Sequence, residues 1–372
     1  YNLTGGFVQL NAATDQILRG TRAYRDLIFS TNGSKTLSSP PSAITGTIFV
    51  EDAAILDVES NTMGGNNTFL TMTGTSAYIT AGVGVKPDAQ EAYDLGIGTK
   101  ISFTNSNATL QSIRLFRDYY NIDVVGSNVG TSSATLPVEL KSGGTFTVKP
   151  TGTFKFINTA GFSGSIDTSI DATNSPNIVL EPGSTVEYAG DSQILTEFSP
   201  NYSNVTISGT GTKEMGPSQT GIVVGESLNI TSSEVFIDND KFVQVEDDLT
   251  VDGTIVVSTS GAFVQVNDLG VINGSVLTDR TKSVVEKETS PLDNIYEYTY
   301  WSSPVVNEEI GNGLEESAGN RRYKYSGQLY KDSEIEVNNN NATDAGQDDI
   351  DDDGNDWTPV TLANEIMEPG RG

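Results

Sequence analysis

The chain has no cysteine and no histidine in its 372 residues. Without thiols, neither a disulfide framework nor a thiolate zinc site can hold the fold. Without imidazole, histidine-based proton transfer and histidine metal ligation are excluded as well. Basic residues are scarce: Lys and Arg total 21 against 49 Asp and Glu, a formal charge of −28. Such a surface repels phosphate backbones and anionic lipid, so nucleic acid is not an expected partner. No apolar run approaches the roughly 20 residues needed to span a bilayer, and direct membrane insertion is not expected. The chain opens at Tyr1 with no basic and apolar leader, and is expected to be a mature product or a fragment.

What the chain does contain is small polar residues, 38 glycines and largely β-branched aliphatics, a mixture that favours many short strands and many turns. These strands repeat. Phe242-Val243-Gln244-Val245-Glu246-Asp247 recurs 21 residues later as Phe263-Val264-Gln265-Val266-Asn267-Asp268, and Leu228-Asn229-Ile230-Thr231 recurs at the same offset from Leu249. A longer unit, Tyr24 to Leu37, matches Tyr202 to Met215, and a weaker third copy starts at Tyr120-Asn121-Ile122-Asp123-Val124. A period of this length, filled with short alternating strands and punctuated by Gly, Asn, Asp and Ser, suits one coil of a solenoid. We therefore expect an all-β fold, a right-handed parallel β-helix over residues 1–285, with room for roughly a dozen coils. The competing architecture is an antiparallel β-sandwich, which also shows short strands at regular spacing but does not usually keep a constant offset.

Past residue 285 the repeat stops, and residues 286–372 are expected to form a separate small β module, cut before its natural end. Tyr296, Tyr298 and Tyr300, followed by Trp301, alternate along a strand that Pro304 ends. Such a stripe either packs as core and cross-strand pairs or stacks on sugar rings as a ligand site. Arg321 to Tyr325 reads as a second strand. The run Asp349-Ile350-Asp351-Asp352-Asp353-Gly354-Asn355-Asp356 spaces oxygen ligands on a loop bent at glycine. Hard cations take six to eight oxygens, so Asp349, Asp351, Asp353, Asn355 and Asp356 are the candidate Ca²⁺ ligands. The alternative is a solvated acidic loop. This spacing resembles the Ca²⁺ loops of thrombospondin type 3 repeats.

Two further groups of residues are weighed as sites. Asp238-Asn239-Asp240 and Glu246-Asp247-Asp248 are expected to form turns, because the glycine-rich nonapeptide of Ca²⁺-binding β-rolls is absent. Arg19, Arg22, Arg25, Arg114 and Arg117 lie near the repeat starts, where a polysaccharide-degrading β-helix would line a groove for acidic sugar. Exposure or ion pairing is the plainer expectation for them.

The stretches Trp301-Ser302-Ser303-Pro304-Val305, Trp357-Thr358-Pro359-Val360 and Met367-Glu368-Pro369-Gly370-Arg371-Gly372 together resemble the module that precedes the sorting domain in large secreted surface proteins of the Bacteroidetes. Gly209-Thr210-Gly211-Thr212-Lys213 resembles the turn of their repetitive β-helical regions. The resemblance implies export by the type IX secretion system and display on, or release from, the bacterial outer surface. The expectation is a non-enzymatic extracellular structural or adhesive protein, a stalk or filament component whose partners are its own copies, other surface proteins or glycan. A carbohydrate-binding adhesin and a β-helical polysaccharide lyase or hydrolase are the alternatives.

Overall fold

A computed structural model of the chain describes residues 6–18, 23–31, 33–37, 43–44, 47–51, 54–57, 62–63, 69–72, 78–81, 84–85, 93–95, 97–104, 106, 108, 110–113, 115, 118–288, 301–303, 307–325 and 357–367. The chain divides into two compact units, residues 1–276 and 277–372.

The first unit is a parallel β-solenoid of about ten turns. One ladder of eight strands runs from Gln16–Leu18 to Asn177–Leu180, and a second of eight runs from Gln111–Ser112 to Ile272–Asn273. In the second ladder Val186 lies beside Val205, Val205 beside Leu228, and Leu228 beside Leu249. The strand pairs of these ladders are parallel, which removes the sandwich alternative for this unit. Along Asn204–Ile207, Glu234–Ile237, Phe242–Val245 and Thr254–Val257, buried residues alternate with half-buried ones. The period of two puts one apolar row inside every coil. Each aliphatic or aromatic side chain so buried stabilises the fold by about 1.5–3 kcal/mol, and the strand N–H and C=O groups bond to the coils above and below.

One coil is longer than the short period, at 32 residues. Thr153 pairs with Thr185 and Thr145 with Asn177, and the ion pair Lys149–Glu181 bridges a separation of 32 residues. The extra chain contributes buried Phe162, which lies 6.0 Å from Phe154 between ring centroids and 5.7 Å from Phe198. Phe146, Phe156, Tyr188 and Tyr202 complete this aromatic interior, with Phe156 and Tyr188 meeting edge to face at 4.7 Å. The tyrosine hydroxyls are not left dry: they bond each other at 2.9 Å, and Tyr202 donates to the Thr196 carbonyl at 2.5 Å. Burial pushes both hydroxyls up from their ordinary range.

In two places the ladder register differs from the one the repeats suggest. The motif beginning at Phe242 recurs at Phe263, yet Phe242 pairs with Ala262 and Gln244 with Val264. The preceding strand already sets this spacing, since Glu234 pairs with Thr254. A slip of one residue turns every side chain to the other face. Val243 and Val245 are therefore buried, while Val264 and Val266 stand 42% and 47% exposed. In the third copy of the long repeat, Tyr119 takes the buried position that Tyr202 holds, not Tyr120.

The second unit contains a small antiparallel β arrangement. Glu308–Glu309 pairs with Ile366–Met367, and Tyr323–Tyr325 pairs with Trp357–Pro359. Ile310 and Val360 are its buried apolar residues among those described.

Candidate functional site

The most elaborate polar constructions lie at the solenoid corners. Gln193 and Lys213 are neighbours on adjacent coils, and so are Gln16 and Lys35. The Gln193 Oε1 accepts the Gly190 N–H at 2.7 Å, as Gln16 Oε1 accepts that of Ala12 at 2.9 Å. The Lys213 ammonium donates to the carbonyls of Gly190 and Thr210, at 3.0 and 2.6 Å, and to that of Asp191. Lys35 repeats the pattern on Ala12, Thr14 and Gly33 at 2.9, 3.4 and 3.3 Å. Both lysines are fully buried, so each turn carbonyl meets a cation in place of water. Burial draws the Lys213 ammonium down from 10.5 to about 8, against the pull of Asp191. It also lowers Lys35, with Asp15 opposing. The glycine two positions earlier, Gly33 or Gly211, has φ of +94° or +68°, a backbone that side-chain-bearing residues seldom adopt. In the middle copy Gln111 faces Val129, and the lysine is missing.

A second device joins coils on the same repeat. The Asn204 Oδ1 accepts the Ser227 N–H at 3.1 Å, Asn121 Oδ1 accepts that of Thr145 at 3.2 Å, and Asp26 Oδ1 accepts that of Thr47 at 2.7 Å. Glu226 ties three coils together through Gly183 N–H, Ser203 Oγ and Asn204 Nδ2, each donating to a carboxylate oxygen at 2.9 Å. Burial alone would raise its carboxyl, but the bonds from Asn204, Ser203 and Gly183 outweigh that and hold it low. The alignment of Lys35 with Lys213 in the long repeat was the sequence signal for the corners. Nothing in the sequence marked Glu226, because its partners come from two other coils.

The turn acids behave as turn formers. Asn239 Oδ1 accepts from Ser258 and Ser260, Asp240 accepts from Ser260, and Asp248 accepts the Val271 N–H at 2.8 Å. Asp118 and Asp171 stand close enough to Glu139 to add to the effect of burial in raising its carboxyl. Arg25 is largely exposed and lies 3.8 Å from Asp26, while Arg19, Arg22, Arg114 and Arg117 fall outside the described residues. Asp349, Asp351, Asp353, Asn355 and Asp356 also lie outside them, as do Tyr296, Tyr298 and Tyr300. Trp301 is described and is half-buried. Among the described residues, no group of three or more acids is placed to hold a metal ion, and no helix is long and apolar enough to cross a membrane.

In the second unit, the strand expected at Arg321 to Tyr325 forms over Tyr323–Tyr325. Tyr323 faces Pro359, Lys324 faces Thr358, and Tyr325 faces Trp357. Directly paired residues share a face, so Tyr323, Tyr325, Trp357 and Pro359 stand together, with Lys324 and Thr358 behind. The Tyr325 and Trp357 ring centroids are 5.3 Å apart with planes tilted by 60°. Lys324 is held by Glu365 at 2.6 Å.

Residues 196–364 match the model of a family described as a domain of unknown function (DUF8693). No curated protein and no solved structure matches the chain. The matched stretch takes in the last coils of the solenoid and most of the second unit.

Proposed function

We propose that the chain is a non-enzymatic structural or adhesive protein of the bacterial outer surface, its solenoid serving as a rigid stalk. The observation that carries this reading is the coil-to-coil register of the parallel ladders. A solenoid gains length with each coil at the cost of only nearest-neighbour contacts, which suits it to hold a binding surface away from its anchor. Side chains that elsewhere serve catalysis are spent on cohesion here: Lys213, Lys35, Gln193 and Glu226 each bond the backbone of a neighbouring coil. The charge of −28 keeps such a surface soluble and hydrated.

The proposal places the chain outside the cell, with export by the type IX route as the resemblance implies. It also assigns one Ca²⁺ to the Asp349 to Asp356 loop. Protease treatment of intact cells that make the protein is the direct test: an exposed stalk is shaved from living cells, and a chain protected until lysis contradicts the reading. Release of unsaturated or reducing ends from acidic polysaccharides by the purified chain would replace it with the β-helical enzyme.

A further inference from the structure

The two-stranded ribbon of the second unit presents a face of rings that the stalk reading leaves unused. Tyr323 and Tyr325 are 42% and 39% exposed, Pro359 is exposed, and Trp357 is half-buried against Tyr325. Rings open to water on a strand pair are costly to leave bare, and this group sits on one face by the register of the pair. We propose that Tyr323, Tyr325, Trp357 and Pro359 form a platform that binds the pyranose rings of a glycan chain.

Three properties of the patch select this ligand. An aromatic side chain buries about 150–250 Å², so three rings left partly open offer on the order of 200–300 Å². A stable protein interface needs about 800 Å² per partner, which is well beyond the patch, whereas two or three sugar rings fit it. Of the residues in the described strand pair, the face carries the rings of Tyr323, Tyr325, Trp357 and Pro359, and an aromatic ring offers a flat apolar surface to the C–H face of a pyranose. Finally, exposed Arg321 lies two residues from Tyr323, while Lys324 stands on the opposite face and is paired with Glu365. Arg322 is already engaged, donating to the Leu314 carbonyl at 2.6 Å and to Ser317. Exposed Arg321 is the nearby donor for sugar hydroxyls or carboxylates.

The test is affinity electrophoresis of the full chain in gels containing hydroxyethylcellulose, laminarin, xylan or alginate, the last distinguishing an acidic glycan from a neutral one. The expected result is retardation by at least one polysaccharide, weakened about tenfold or more in the Tyr323→Ala, Tyr325→Ala double variant. Tyr323→Ala alone leaves the Tyr325–Trp357 contact in place and should weaken binding about threefold or more. Trp301→Phe leaves Trp357 as the sole tryptophan, and its emission should shift on adding the same polysaccharide. Free migration in all four gels overturns the proposal, and so does unchanged retardation of the double variant. Since the platform lies in the second unit, either failure leaves the stalk reading intact.

Discussion

Replacing Lys213 with Met keeps the length of the side chain and removes the ammonium, so it isolates the corner bonds from packing. The lowering of its pKa from 10.5 to about 8 sets the cost of holding the charge there at about 3 kcal/mol. Against it stand the bonds to three carbonyls, those of Gly190, Asp191 and Thr210. A buried carbonyl left without a donor costs about 1–3 kcal/mol, so removing the ammonium trades the cost of the charge for that of unpaired carbonyls. Met leaves the Asp191 and Thr210 carbonyls without their lysine, while Gly190 keeps the N–H of Thr210. The expected loss is about 2 kcal/mol near neutral pH, which for a domain of this size lowers the thermal midpoint by about 4–8 °C. Calorimetry of wild type and Lys213→Met at equal concentration reads it. A midpoint unchanged within about 1 °C, or raised, would mean that charge burial and not carbonyl bonding governs the corner, and would refute the reasoning.

The same lysine has a pH signature. Its folded pKa of about 8 lies below the unfolded 10.5, so the unfolded chain holds the proton more tightly between those values. Wild type should therefore gain stability over Lys213→Met from pH 8 to 10.5, by up to about 3 kcal/mol; urea midpoints that converge over that range contradict it. Glu226 has the opposite sense: its carboxyl is held below 4.5 in the fold, so the advantage of wild type over Glu226→Gln should be full above pH 4.5 and fade on acidification, as urea titrations at pH 7 and pH 3 would show. The register of the last coil predicts that Val264→Thr changes stability by less than about 0.5 kcal/mol, whereas Val243→Thr costs about 1–3 kcal/mol; equal losses would restore the repeat alignment. For the acidic loop, Asp351→Ala with Asp353→Ala should abolish Ca²⁺ uptake in calorimetry, and retained uptake removes the assignment.

The fold was legible because stacking turns a local alternation into a fixed sequence offset. Leu228 and Leu249 are the case in point: the sequence spacing and the ladder partner agree. Phe242 and Phe263 show the limit, since similarity of side chains reports ancestry, while the register is set by the corner before them. The long coil is invisible for a related reason: the insertion that carries Phe162 obeys no period, yet it supplies part of the core. The buried lysines were readable as repeat positions but not as interior ones, because a lysine after a glycine turn reads as solvated until the carbonyls of the coil beneath are in place. The ring face of the second unit depended on pairing Tyr323–Tyr325 with a strand more than 30 residues later, a separation no local pattern encodes. The strand itself was evident in Arg321 to Tyr325.

The chain's lack of cysteine allows coil stacking to be read with single engineered disulfides. Glu187 lies beside Thr206 on the next coil, with both side chains turned away from the buried row. Parallel neighbours sit within the 4.4–6.8 Å that a disulfide spans between Cα atoms. Glu187→Cys with Thr206→Cys should close an intramolecular bond under mild oxidation, while Glu187→Cys with Asn204→Cys, two residues out of register, should stay reduced. A closed bond in the second pair and none in the first would contradict the stacked solenoid itself.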